Sequence, residues 1–103
     1  TEGPERDYAK AMKYFLLAAA KKDPDAENNI GSMILNGEGV QRDYTAARGW
    51  YESAASHGSA MALYHLGVSY EDGLGVPKNP IRAADYYRKA ADLGYDEAKK
   101  KLE

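Results

Sequence analysis

The chain repeats itself every 36 residues, and that period constrains its fold more than any other feature. Asn36-Gly37-Glu38-Gly39-Val40 returns as Asp72-Gly73-Leu74-Gly75-Val76, Tyr51 as Tyr87, and Gly58 as Gly94. Five columns hold in all three copies: Gly3/Gly39/Gly75, Ala11/Ala47/Ala83, Ala18/Ala54/Ala90, Ala19/Ala55/Ala91 and Ala26/Ala62/Ala98. A single domain of three units, about 1–36, 37–72 and 73–103, accounts for the chain. Because it starts partway through a unit, and with Thr1, it reads as a piece of a longer protein.

Each unit reads as two helices. In the middle unit Asp43 is placed to cap the first free amides of a helix. Ala47, Trp50, Tyr51, Ala54 and Ala55 then recur at helical spacing, and Gly58 ends the segment in the left-handed conformation. Ser59 starts a second helix with Ala62, Leu63, Leu66 and Tyr70 on one stripe. Asp23-Pro24 and Asn79-Pro80 pair a cap with proline at the first helical position. Gly31 and Gly67 fall inside helices, where glycine costs about 1 kcal/mol relative to alanine, so a crossing helix too close for a side chain is expected at both. One such unit cannot bury its apolar face alone, whereas stacked units share a continuous core. The aromatic columns Phe15/Tyr51/Tyr87 and Tyr14/Trp50/Tyr86 are expected to pack in that core with hydroxyls on backbone carbonyls, and Tyr8, Tyr44 and Tyr95 to be exposed.

These residues resemble the Sel1-like repeat, a relative of the tetratricopeptide repeat. The resemblance runs through Gly37, Gly39, Val40, Asp43, Ala47, Trp50, Tyr51, Ala54, Ala55, Gly58, Ala62, Leu66, Gly67 and Tyr70, and through Gly75, Tyr87, Ala90, Ala91 and Gly94 in the third unit. It implies an all-α, right-handed α-solenoid of helix-turn-helix repeats that holds protein complexes together. Family members look like adaptors in membrane-protein degradation, envelope and cell-cycle signalling, and bacterial host interaction. Unit one departs from the pattern with Lys22 where the others have glycine, so its inter-helix turn is expected to be built differently. The last helix departs with Lys99-Lys100-Lys101. A cysteine-rich branch of the family is linked to β-lactam hydrolysis, but this chain has no cysteine.

Chemistry-bearing motifs are sparse. The Gly-rich loops lack the preceding strand and following Gly-Lys-Ser/Thr of a phosphate cradle, and no serine has a lysine three residues on. His57 and His65 are the only histidines, and both are expected on the solvated surface. No catalytic, cofactor-binding or metal-ligating residues are assigned. Lys plus Arg is 14 against 16 acids, so no basic field attracts nucleic acid. The longest apolar run, Tyr14 to Ala20, is too short for membrane insertion. A protein or peptide is therefore the expected partner, with the chain acting as a non-catalytic adaptor or scaffold through the concave face of the array. The candidate contacts are Lys13, Leu16 and Leu17 in unit one, Thr45 and Glu52 in unit two, and Asp85, Arg88 and Lys89 in unit three. Leu16 and Leu17 are apolar where later units are polar, which calls for a covering: a preceding repeat, a second copy or a partner. A weak hydrolase of β-lactam or cell-wall-like substrates and a self-associating spacer are the alternatives. The compartment stays open.

Overall fold

A computed structural model describes the backbone of residues 4–103 and the side chains from residue 7 onward. Within them lie six helices and no strand: α1 (Pro4–Ala19), α2 (Pro24–Asn36), α3 (Tyr44–Ser56), α4 (Ala60–Asp72), α5 (Pro80–Asp92) and α6 (Asp96–Lys101). Each helix packs on its neighbours in the chain, most extensively α2 on α3 and α4 on α5. The result is an α-solenoid 45 Å long and 26 by 20 Å across.

Local chemistry sets the helix ends. Asp23, Asp43, Ser59 and Asn79 each adopt extended backbone and accept hydrogen bonds from amides of the first turn through their side chains. At the far ends of α2 and α4, Gly37 and Gly73 take the left-handed conformation, at φ of 69° and 70°. The chain then returns so that the amide of Asp43 reaches Ile34 and that of Asn79 reaches Tyr70, the same bond one period later.

The core is a row of small residues with one ring per unit. Ala47, Tyr51, Ala54, Ala62 and Leu66 form one buried cluster, and Ala83, Tyr87, Ala90 and Ala98 the next. The two helical glycines sit beneath those rings. A Cβ on Gly31 would stand 2.9 Å from Cε1 of Tyr51, and one on Gly67 would stand 2.5 Å from Cε1 of Tyr87. The expected close crossing is thus a helix edge seated on a tyrosine face. Both phenol groups then pair with side chains of the preceding helix rather than with carbonyls. Tyr51 shares a 2.9 Å hydrogen bond with Ser32, and Tyr87 donates to Glu71 at 2.5 Å.

Three expectations are corrected. Lys22 does not alter its turn: it adopts φ of 64°, as Gly58 and Gly94 adopt positive φ one and two periods later. The amides of Lys21, Lys22 and Asp23 make the same bonds as those of His57, Gly58 and Ser59. The turn is enforced by the array, and lysine bears the strain. Tyr14 is not in the core but 74% exposed. Its column partners Trp50 and Tyr86 are half-buried because each has a preceding helix beside it, which α1 lacks among the described residues. Tyr8, Tyr44 and Tyr95 are half-buried rather than exposed; Tyr8 and Tyr44 cover Gly39 and Gly75 of the following loops.

Two substitutions separate these effects in urea denaturation. Gly67→Ala gains helix propensity of about 1 kcal/mol, yet overpacks the Tyr87 ring at a cost of about 1–3 kcal/mol. A net loss of stability is expected. Lys22→Gly relieves a left-handed residue and is expected to raise stability by about 1 kcal/mol.

Candidate functional site

The open faces of α1, α3 and α5 form a strip that repeats with the 36-residue period. On α3 it comprises Thr45, Gly49, Glu52 and Ser56, all exposed, opposite the buried Ala47, Tyr51 and Ala54. One period earlier the strip is Ala9, Lys13 and Leu16 on α1, with Ala20 in the turn just beyond it. One period later it is Ile81, Asp85, Arg88 and Asp92 on α5. Of the candidate contacts, Lys13, Leu16, Thr45, Glu52, Asp85 and Arg88 lie on this strip. Arg88 and Asp85 form an exposed ion pair one turn apart, a geometry that stabilises little by itself.

Leu17 and Lys89 belong to another column. Their equivalent, Ser53, faces α2 and donates to Glu27. Lys89 lies over the ring of Tyr86 at 5.6 Å. Leu17 is 63% exposed on the edge of α1, away from the strip shared with α3 and α5.

Sequence reasoning missed two polar clusters. Glu27 is buried between α2 and α3 with 4% exposure. Its carboxylate accepts from Ser53 Oγ and from His57 Nδ1, the latter at 2.7 Å. Serine, histidine and glutamate meet here, but both hydroxyl and imidazole point at the carboxylate. No histidine nitrogen receives the serine proton, so the arrangement ties helices together and does not activate a nucleophile. The column Glu27/Leu63/Lys99 gives no sign of it, because the partners come from the next helix.

The second cluster surrounds His65, which was expected to be solvated. Its ring lies 4.8 Å from that of Tyr51 and 5.8 Å from that of Tyr64, and its Nδ1 donates to Asn28 Oδ1 at 3.0 Å. Tyr64 continues the row to Tyr87 and Tyr95. Burial holds the His65 pKa below its ordinary value. Burial and the adjoining Glu71 push the Tyr87 phenol up, while bonds from Tyr87 and Lys101 hold the Glu71 carboxyl down. These rings occupy the interfaces of the stack. Among the described residues no group of three or more His, Cys, Asp or Glu is placed to hold a metal, and no helix is long and apolar enough to cross a membrane.

A family model, the Sel1 repeat, matches residues 2–23, 24–59 and 60–95. The chain belongs to the Sel1 repeat family. The family's frame takes the same 36-residue step but pairs α2 with α3 and α4 with α5, the two closest-packed pairs. Among solved structures, a Sel1 repeat protein from Oxalobacter formigenes is 41% identical with a TM-score of 0.81; the match covers 84% of this chain and 36% of that one. c5321, a protective antigen of uropathogenic Escherichia coli strains with an SLR fold, is 30% identical at TM-score 0.77, over 84% of this chain and 19% of that one. Helicobacter pylori cysteine rich protein B is 26% identical at TM-score 0.82, over 89% and 69%. This chain therefore spans about a third of the first protein's length and a fifth of the second's. Comparison with curated proteins gives no match. Sel1 repeat proteins are in general protein-interaction modules and typically non-catalytic.

The pH response of this Sel1 array follows from His65. Its folded pKa is depressed, so between that value and the unfolded value near 6.5 the unfolded chain binds more protons. The stabilisation from neutral His65 is complete above about 6.5 and is lost as pH falls below it, by at most about 1.4 kcal/mol per pH unit. Thermal melts at pH 7.5 and 5.5 are expected to show a drop in Tm for the parent protein and a smaller one for His65→Gln.

Proposed function

We infer that the chain is a non-catalytic docking module, an adaptor or scaffold whose strip along α1, α3 and α5 forms the concave surface that receives a protein or peptide partner. The observation that carries this reading is the division of labour among its columns. The alanine, glycine and tyrosine columns are consumed in stacking. The Lys13/Leu16, Glu52 and Asp85/Arg88 positions are exposed at a fixed spacing on a rigid frame and take almost no part in holding it. Family membership supports the same class of function.

The strip changes character along its length, from Lys and Leu through Glu to an Asp–Arg pair with Lys89 nearby. A peptide with one apolar anchor and charges of both signs suits it. Each unit offers few contacts, so affinity per unit is modest and accumulates along an array.

Peptides selected from a displayed library on the whole chain provide the test. Leu16→Asp, Glu52→Arg and Arg88→Glu are each expected to weaken a selected peptide about tenfold, or roughly 1.4 kcal/mol, with far-UV circular dichroism unchanged. Selected peptides that bind all three variants as tightly as the parent would place recognition elsewhere. Hydrolysis of nitrocefin by the purified chain would count against the non-catalytic reading.

A further inference from the structure

The second and third units treat the ring column of Trp50 and Tyr86 differently. In unit three the ring is sheltered. Lys89 lies over Tyr86 at 5.6 Å, Tyr70 stacks on it at 5.8 Å with the planes 15° apart, and Arg82 lies over Tyr70 at 4.9 Å. One period earlier the counterparts of Arg82, Lys89 and Tyr70 are Ala46, Ser53 and Ile34. The two sheltering cations are gone, and among the described residues no other cation and no second ring lies on Trp50.

Gly49 is an independent sign at the same place. A glycine inside a helix costs stability, and Gly31 and Gly67 each have a reason for it in the tyrosine ring seated over them. Gly49 has no such reason: beyond its own helix, nothing stands within 4 Å of where its Cβ would be. At about 3.6 residues per turn, Ala46, Trp50 and Ser53 lie to one side of Gly49 around α3, and Glu52 lies to the other. Glu52 is exposed and makes no ion pair among the described residues. Arg48 of the same helix donates instead to the Gly75 carbonyl. A ring face and a carboxylate both favour a cation, and the gap between them lets a backbone pass close. Lys13 on α1 and Arg88 on α5 oppose a longer basic run. α2 and α4 flank α3 on either side, so the place lies inside the array and involves neither of its ends.

We propose that the strip takes a short basic segment at α3. An extended basic-x-basic stretch of the partner crosses over Gly49, with one cation on the Trp50 ring and the other at the Glu52 carboxylate. Alternate residues of an extended chain project to one side, which suits two contacts on either side of a gap. The proposal rests on the docking strip inferred above and names the chemistry that its middle unit recognises.

Trp50 is the only tryptophan, so its fluorescence and its indole N–H resonance report on this place alone. The probe is the peptide acetyl-Ala-Arg-Ala-Arg-Ala-amide, titrated onto the whole chain beside a counterpart with citrulline, a neutral isostere, for both arginines. The arginine peptide is expected to shift both Trp50 signals saturably, and the citrulline peptide to bind about tenfold more weakly. Gly49→Leu fills the gap, and Ala46→Arg gives Trp50 the basic neighbour that Tyr86 has in Arg82; each is expected to weaken the arginine peptide about tenfold. Glu52→Gln is expected to weaken it about threefold. No Trp50 shift at millimolar peptide, equal binding of the citrulline peptide, or binding that Gly49→Leu and Ala46→Arg both leave unchanged overturns the proposal. The strip is judged separately, with the library-selected peptides. If these lose affinity for Leu16→Asp and Arg88→Glu chains yet bind Gly49→Leu and Ala46→Arg chains as the parent, the basic segment is overturned and the strip stands. An arginine-dependent Trp50 shift beside selected peptides indifferent to Leu16→Asp and Arg88→Glu supports the basic segment and overturns the longer strip.

Discussion

The tyrosine ring laid over a helical glycine is the contact on which the stack depends. It occurs between α2 and α3 and again between α4 and α5, and it needs both partners: the glycine lets the backbone approach, and the ring fills the space with a wide apolar face. The surrounding alanines are small for the same reason. A core of alanine buries little area per residue, so the two rings supply a large share of what is buried. Each phenol then finds a partner on the helix it crosses, Ser32 or Glu71, which keeps a polar atom satisfied at the rim of the interface.

The two inter-helix interfaces share this centre and differ at the edge. Between α2 and α3 the edge is polar, with Glu27 buried under Ser53 and His57. One period later the same columns hold Leu63, Lys89 and Leu93, and the aromatic row of Tyr64, Tyr87 and Tyr95 takes over. A buried carboxylate bonded at both oxygens is costly to break and adds little over a good apolar contact. What it changes is the match between neighbours: a helix bearing Glu27 suits a neighbour with donors and not one with leucines.

The period, the caps and the seats for the rings were legible in the sequence because each depends on local chemistry repeated at one offset. Asp43, Ser59 and Asn79 act within three residues of themselves, and a helical glycine signals its own cost. The missed features depend on what lies opposite. Tyr14 shares a column with Trp50 and Tyr86, yet is exposed because a column records a helix's own face and not whether anything covers it. His65 aligns with Asn29 and Lys101, which suggested solvent; its burial comes from Tyr51 and Tyr64 closing over it. Lys22 defied its residue type because the turn bonds outweigh the left-handed strain. The open strip was legible as positions opposite the core face, except that Ser53 turns toward α2, Lys89 lies over the Tyr86 ring of its own helix, and Leu17 stands exposed on the edge of α1.

The separation of columns has an evolutionary consequence. Residues on the open strip carry almost none of the folding energy, and each helix leans only on its immediate neighbours. Such positions are free to diversify one at a time without a stability threshold to cross. Where partners dock on this strip, as proposed, their specificity can drift, duplicate or be retuned while the scaffold beneath it stays the same.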